Sequence, residues 1–176
     1  MSKIKSQKIL AIDPGTRNLG VAFFEGEELI YYGVKVIPYQ TSQKETLIEG
    51  RKIISRLIQD FKPTTLVVEK TFFLNNKKSK LLNMFVREIQ TVGMRKGLKV
   101  FAFATNTVRK NICGNGAASK NDIAHVIVSR YPELKAYLTS NRRWKEKFYK
   151  NMFDAIALGL VILTKRILNF HGVLCK

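Results

Sequence analysis

The run Lys8 to Asp13, KILAID, constrains this chain more than any other feature. It is short and apolar, it ends on an acid, and Pro14-Gly15 stops it at once. Such a run reads as a strand that delivers a carboxylate to a tight turn. Two more strand-like runs follow at close spacing, Leu19 to Phe24 and Leu29 to Ile37, with Gly26 and its acidic neighbours between them. Three strands on short turns predict an antiparallel meander at the start of the fold.

Periodicity then changes. In Thr46 to Phe61, Ile54, Leu57, Ile58 and Phe61 recur at spacings of three and four, which predicts a helix ended by Lys62-Pro63. Thr65 to Glu69, TLVVE, is a near-continuous β-branched run of the kind found in buried parallel strands. Leu81 to Lys96 predicts a second helix with Leu82, Phe85, Ile89 and Val92 inward and Gly97 as its C-cap. Lys99 to Ala104 is a fifth strand. Ser119 to Arg130 is a helix opened by Ser119 with Asp122 as a capping pair. A last helix runs from about Trp144 to Leu168, with Phe153, Ile156, Ala157, Leu160, Ile167 and Leu168 as its core stripe. Strands and helices in this order make an α/β protein with a mixed sheet, and 176 residues suit a single domain spanning 1–176.

Charge narrows the function. Thirty-one Lys and Arg face 13 Asp and Glu, a formal charge of +18. An excess of this size repels itself and attracts polyanions by counterion release. An anionic membrane surface is the bland alternative, but no basic amphipathic helix or tail is visible. No run of 18 apolar residues exists, so the expectation is no membrane partner. Met1 to Lys8 is polar and basic and leads directly into a strand, which predicts a cytosolic or organelle-matrix protein. Cys113 and Cys175 lack metal-ligand spacing and read as free thiols.

In a chain with few acids, three stand where acids are costly. Asp13 and Glu69 end apolar strands, and Asp154 interrupts the apolar helical stretch Met152 to Leu163. Unpaired carboxylates in low dielectric are destabilising. Each has an ordinary reading: Asp13 as a turn former, Glu69 paired with Lys70 or Lys52, Asp154 at the helix surface. Together they make sense as shared oxygen ligands of Mg²⁺ or Mn²⁺, most simply two ions that promote phosphodiester hydrolysis.

Four segments then carry a resemblance. Ile9 to Val21, ILAIDPGTRNLGV, resembles the first motif of RuvC-type Holliday-junction resolvases. Val67 to Phe72, VVEKTF, looks like their second. Cys113 to Asp122, CGNGAASKND, is similar to their glycine-rich segment, and Asp154 to Gly159, DAIALG, to their final-helix motif. All four stand in the family's order. The resemblance implies a ribonuclease-H-like fold with a five-stranded mixed sheet flanked by helices. It implies a homodimer that acts on four-way DNA junctions and places symmetric nicks with Mg²⁺ or Mn²⁺. It makes Asp13, Glu69 and Asp154 metal ligands and Phe72 the aromatic that stacks on a base at the crossover, with Phe73 able to exchange roles. Lys120 and either Arg109 or Lys110 match basic residues near the scissile phosphate. The helix Leu81 to Lys96 is the dimer-interface candidate by the same analogy.

One position departs. Three residues before Asp154 the family usually carries a further metal ligand, and here it is Asn151. The spacing keeps both on one helix face, but an amide brings no negative charge. Three readings stay open: a natural branch working with three carboxylates, an inactivated variant, or a binding-only relative.

Basic runs surround these positions. From Lys70 to Lys120 eleven Lys and Arg accompany one acid, Glu88. Lys77, Lys78 and Lys80 follow Phe72 in an Asn-rich stretch read as a flexible loop suited to a distorted strand. Lys147 lies one turn before Asn151 and Lys150 one turn before Asp154, and either can neutralise charge at a scissile phosphate. His125 reads as structural, and His171 as part of a frayed tail. The leading expectation is a metal-dependent endonuclease that resolves branched DNA. The alternatives are a ribonuclease-H-like nuclease acting on RNA or hybrids, and a non-catalytic junction-binding protein.

Overall fold

In the computed structural model, residues 7–39, 42–70, 77–138 and 143–171 are described, with side chains at 77–79, 143–147 and 165–171 left out. Five strands form one sheet: β1 (Lys8–Asp13), β2 (Asn18–Glu25), β3 (Glu28–Val36), β4 (Thr65–Lys70) and β5 (Lys99–Ala104), in the order β3-β2-β1-β4-β5. β1, β2 and β3 are the expected antiparallel meander, and β4 and β5 run parallel to β1. The mixed five-stranded sheet read from the sequence is therefore present.

Helices cover both faces. α1 (Gln43–Phe61) and α2 (Lys77–Arg95) pack on one. On the other lie α3 (Thr105–Cys113), α4 (Lys120–Arg130), a 3₁₀ turn (Pro132–Leu134), α5 (Lys135–Leu138) and the long α6 (Arg143–His171). Double coverage explains the unbroken apolar run in β1, where Ile9, Leu10, Ala11 and Ile12 are all fully buried. Their side chains divide by parity: Leu10 and Ile12 join the α1/α2 core, Ile9 and Ala11 the α6 core.

Parity also decides where the acids point. Asp13 continues the Ile9–Ala11 series and Glu69 follows Val67, so both face the α6 side. Ile12 pairs with Val68 in the parallel register, which sets Asp13 and Glu69 side by side at the same end of the sheet. On β2 the residue opposite Asp13 is Gly20.

Gly20 is what allows α6 to reach that end. A Cβ on Gly20 would stand 1.8 Å from the Asn151 carbonyl oxygen, so the helix backbone rests directly on the strand. Two turns on, Gly159 makes room for the ring of Phe24, whose Cε2 a Cβ there would meet at 2.1 Å. Asn151 to Gly159 spans about 12 Å of helix and Gly20 to Phe24 about 14 Å of strand. The helix thus lies along β2, with Asn151 and Asp154 beside Asp13.

Two expectations need correction. Lys77, Lys78 and Lys80 do not lie in a loop, because α2 starts at Lys77. Nothing between Lys77 and Leu81 breaks a helix, and Lys and Leu favour one. His171 is the last residue of α6 and not part of a frayed tail, since nothing from Leu168 to His171 interrupts the helical run. α3, α5 and the 3₁₀ turn were not expected. Among the described residues no helix is long and apolar enough to cross a membrane. Cys113 is a free thiol packed against the α6 core, and burial pushes its pKa up; Cys175 lies outside the described residues.

Candidate active site

Asp13 is 6% exposed, and burial is the largest influence on its carboxyl. Burial, the neighbouring charges of Asp154 and Glu69, and hydrogen bonding with Glu69 raise its pKa well above the ordinary value; Lys120 opposes them. Asp154 is shifted upward by burial too. There Lys120 counteracts by charge and hydrogen bond, Glu69 adds to the rise and Arg109 reduces it. Glu69 Oε1 accepts a 2.6 Å hydrogen bond from Thr105 Oγ1 at the start of α3. The three acids therefore face one another across the ends of β1 and β4 and the flank of α6.

Among the described residues Lys120 reaches this group, and its Nζ donates to Asp154 Oδ2. Burial works against its charge, but the pull of Asp154, Asp13 and Glu69 outweighs this and leaves its pKa raised. Its placement is built locally. Ser119 caps α4, its Oγ accepting from Asp122 N at 3.2 Å while Asp122 Oδ2 accepts from Ser119 N at 2.7 Å. That box fixes the first turn of α4 and with it Lys120. The same box holds the Asp122 carboxyl below its ordinary pKa.

Of the pair Arg109 and Lys110, Arg109 lies near Asp154 and Lys110 is exposed to solvent. Arg109 Nε is buried without a hydrogen-bond partner among the described residues. Asn151 Nδ2 donates to the Asn18 carbonyl oxygen at 3.1 Å, tying α6 to the start of β2. Lys80 is exposed in the first turn of α2. Lys77, Lys78 and Lys147 have helical backbone, but their side chains lie outside the described residues, as do Phe72 and Phe73 altogether. Lys52 pairs with Glu49, so it does not serve Glu69. His125 Nδ1 sits 2.7 Å from the Asn121 carbonyl.

Several contributors were invisible in the sequence. Thr105 lies 36 residues from Glu69, and Asn18 lies 133 residues from Asn151. Gly20 sits in a motif already singled out, but its purpose needs α6 in place. Among the described residues no three acid, imidazole or thiol side chains stand close enough to hold an ion as they are, and Asp154 is paired with Lys120. In kind the donors fit a hard divalent cation: all are oxygens, and their mutual repulsion is what an ion would relieve.

A five-stranded mixed sheet with α6 laid across it and acids gathered at the ends of β1 and β4 defines a ribonuclease-H-like protein. The family described as crossover junction endodeoxyribonuclease RuvC matches residues 9–142, a stretch that holds Asp13, Glu69 and Lys120 and stops before Asp154. A protein of that name from Akkermansia muciniphila is 26% identical over 161 residues, covering 89% of this chain and 90% of that one. Another, from Sodalis glossinidius, is 32% identical over 126 residues, 68% of this chain and 71% of the relative. The chain belongs to the RuvC family, hydrolases that act on DNA.

Solved structures agree on the fold. Thermus thermophilus RuvC superposes with a TM-score of 0.70 at 21% identity, covering 94% of this chain and 97% of that one. The same protein in complex with a Holliday junction substrate gives 0.71 at 20%, covering 94% and 96%. A yeast mitochondrial Holliday junction resolvase gives 0.68 at 13%, covering 96% and 85%.

Proposed function

We propose that this chain binds four-way DNA junctions as a homodimer and resolves them by paired, symmetric nicks that require Mg²⁺ or Mn²⁺. The observation that carries the reading is Asp13: a buried carboxyl held against Asp154 and Glu69 despite the electrostatic cost. Membership in the RuvC family and the +18 charge support DNA as the polyanion.

Asp13, Glu69 and Asp154 would hold the ions, most simply two. Bound there, the ions would supply the Lewis-acid charge that favours attack of water on a phosphodiester. Asp154 would exchange Lys120 for the cation, leaving the Lys120 ammonium to meet a phosphate oxygen. Arg109 fits the same task, because its positive charge lies close enough to Asp154 to lower that carboxyl's pKa. Lys110, exposed, belongs to the wider basic surface, and Lys147 is proposed to neutralise charge at the scissile phosphate. Phe72, Phe73, Lys77, Lys78 and Lys80 are proposed contacts to the unstacked strand, and α2 the dimer contact.

Asn151 favours the natural-branch reading over an inactivated one. Its amide already has a donor's work, toward the Asn18 carbonyl, and a carboxylate there would set acceptor against acceptor. Asn151 would therefore serve first as a tether for α6, with its oxygen left over as a neutral ligand.

The test is a synthetic four-way junction with Mn²⁺. Nicks in opposing strands are expected, and Asp13→Asn should slow them about a thousandfold, the loss of several kcal/mol of charge stabilisation, while junction binding persists. Binding without cleavage under every divalent ion would overturn the nuclease reading. Equal cutting of linear duplex or RNA–DNA hybrid would overturn the junction selectivity.

A further inference from the structure

Beside the acid cluster, between α4, α5 and α6, lies a cavity of about 230 Å³. Lys120 and Asp154 are among its lining, so the cavity adjoins the acids. The rest of its lining is mixed: Ala124, Leu138 and Phe153 are apolar, Tyr137 offers a ring, and Asn121, His125 and Lys150 are polar. We infer that this cavity receives one nucleobase of the bound strand, unstacked from its neighbours next to the phosphate held at Lys120 and the acids.

Four features select that occupant. The apolar surface of Ala124, Leu138 and Phe153 and the Tyr137 ring let a base bury its flat faces, while Lys120 and Lys150, which also line the space, can meet the phosphate joined to that base. At about 230 Å³ the space is smaller than pockets for drug-sized ligands, which run from about 300 Å³ upward, so it suits one planar ring system and not a base pair. Tyr137 is held edge-on by Tyr32 at 5.9 Å and by Tyr149 at 4.8 Å, so the wall is ordered before anything binds. Polar groups then sit where a base edge needs them. Asn121 lines the space with a side-chain amide that can both donate and accept. His125 Nδ1 is engaged by the Asn121 carbonyl, which leaves Nε2 as the polar atom of a fixed ring. Taking a base out of the stack into a fitted pocket is how enzymes read a nucleotide close to their chemistry.

The inference rests on the junction-nuclease reading, and its test separates the two. Junctions are prepared in which each of the three nucleotides on either side of the cut is made abasic in turn, or carries 2-aminopurine. At one position, loss of the base should slow nicking about tenfold, as removal of a stacked base contact does, with junction affinity changed less than threefold. At that same position 2-aminopurine should brighten several-fold on binding, measured with Ca²⁺ in place of Mn²⁺. In Asn121→Ala and in Tyr137→Ala the abasic and parent junctions should be nicked at nearly equal rates; Asn121 is exposed, so its variant folds even if the tyrosine variant does not. Equal nicking of all six abasic junctions by the parent protein overturns the inference, as does an abasic effect that both variants keep. If even the parent junction goes uncut, the nuclease reading falls. The cavity is then decided by fluorescence alone, and no brightening at any of the six positions overturns it.

Discussion

The two faces of the sheet are built alike and used differently. On the α1/α2 face Leu10, Ile12, Leu66 and Val68 meet Phe85 and Ile89, and two glycines permit the contact: Gly50 beneath the Phe85 ring and Gly93 beneath Leu66. Charges on that face, such as Arg51 with Glu88 and Arg56 with Asp60, pair at the periphery, where ion pairs contribute little. On the α6 face Gly20 and Gly159 perform the same service, but the apolar core stops at Asp13, Glu69 and Asp154. Close packing secures stability on the first face. On the second it sets the spacing of groups that repel one another.

Alanine at equivalent glycines separates these uses. In Gly20→Ala the new Cβ meets backbone, so α6 must retreat from β2 and carry Asp154 away from Asp13. A displacement of about 1 Å at a reacting centre costs about a hundredfold in rate, and the nicking rate per folded molecule should fall at least that far. In Gly50→Ala the obstacle is the Phe85 ring. Overpacking of about 1–3 kcal/mol, offset by about 1 kcal/mol of helix propensity, should lower stability by up to about 2 kcal/mol. Nicking per folded molecule should stay at the parent value. A Gly20→Ala protein that cuts normally would break the comparison.

Electrostatics gives the next largest effect, read in the metal-free protein. Asp13 and Asp154 titrate above the ordinary carboxylate value of 3.8 when folded, so over that range the folded chain binds more protons than the unfolded one. Stability must then fall as pH rises through the raised values. Thermal unfolding in EDTA should show the parent's Tm falling as pH is raised from about 5 to about 8. Asp13→Asn should flatten that dependence and raise Tm at pH 8 by a few degrees. Added Mn²⁺ should flatten it in the parent protein. An unchanged slope in Asp13→Asn would mean that the acids do not crowd.

Asn151→Asp tests the tether more gently. Loss of the bond to Asn18 should cost about 1 kcal/mol, or about 2–4 °C in a domain of this size, in the metal-free state. Nicking at saturating Mn²⁺ should remain within about tenfold of the parent. A gain of a hundredfold would show instead that Asn151 replaces a ligand the site needs.

The central elements were legible because their residues report burial directly. β1 and β4 carry unbroken apolar or β-branched runs, and a strand-end acid is conspicuous for its cost; β5, at the sheet edge with every residue exposed or half-buried, was legible from its apolar composition alone. α3 was not legible: TNTVRKNIC has a single buried side chain, Val108, and its N-cap, Ala104, makes no side-chain cap bond. Contacts with α6, α4 and β5 hold it in place, and local pattern does not record them. The acids could be chosen from the sequence, but their shared face came from strand parity and register. The Thr105 and Asn18 partners belong to tertiary placement alone.

The smallest effect compares two helix caps of one design. Ser42 with Glu45 opens α1, and Ser119 with Asp122 opens α4, each a reciprocal capping box. Alanine in place of either serine should cost about 1 kcal/mol of stability. On the α1 side the loss should end there, because the bonds of Ser42 among the described residues go to Glu45 and Thr46, on the face opposite the acid cluster. On the α4 side the residue after the cap is Lys120, whose ammonium reaches Asp154 across 34 residues of chain. Fraying of that turn should let the ammonium wander, so Ser119→Ala should also lower the nicking rate severalfold and Ser42→Ala should not. The ratio of the two rates at equal fraction folded is the measurement. A ratio near one would mean that Lys120 is positioned by Asp154 itself and not by the first turn of α4.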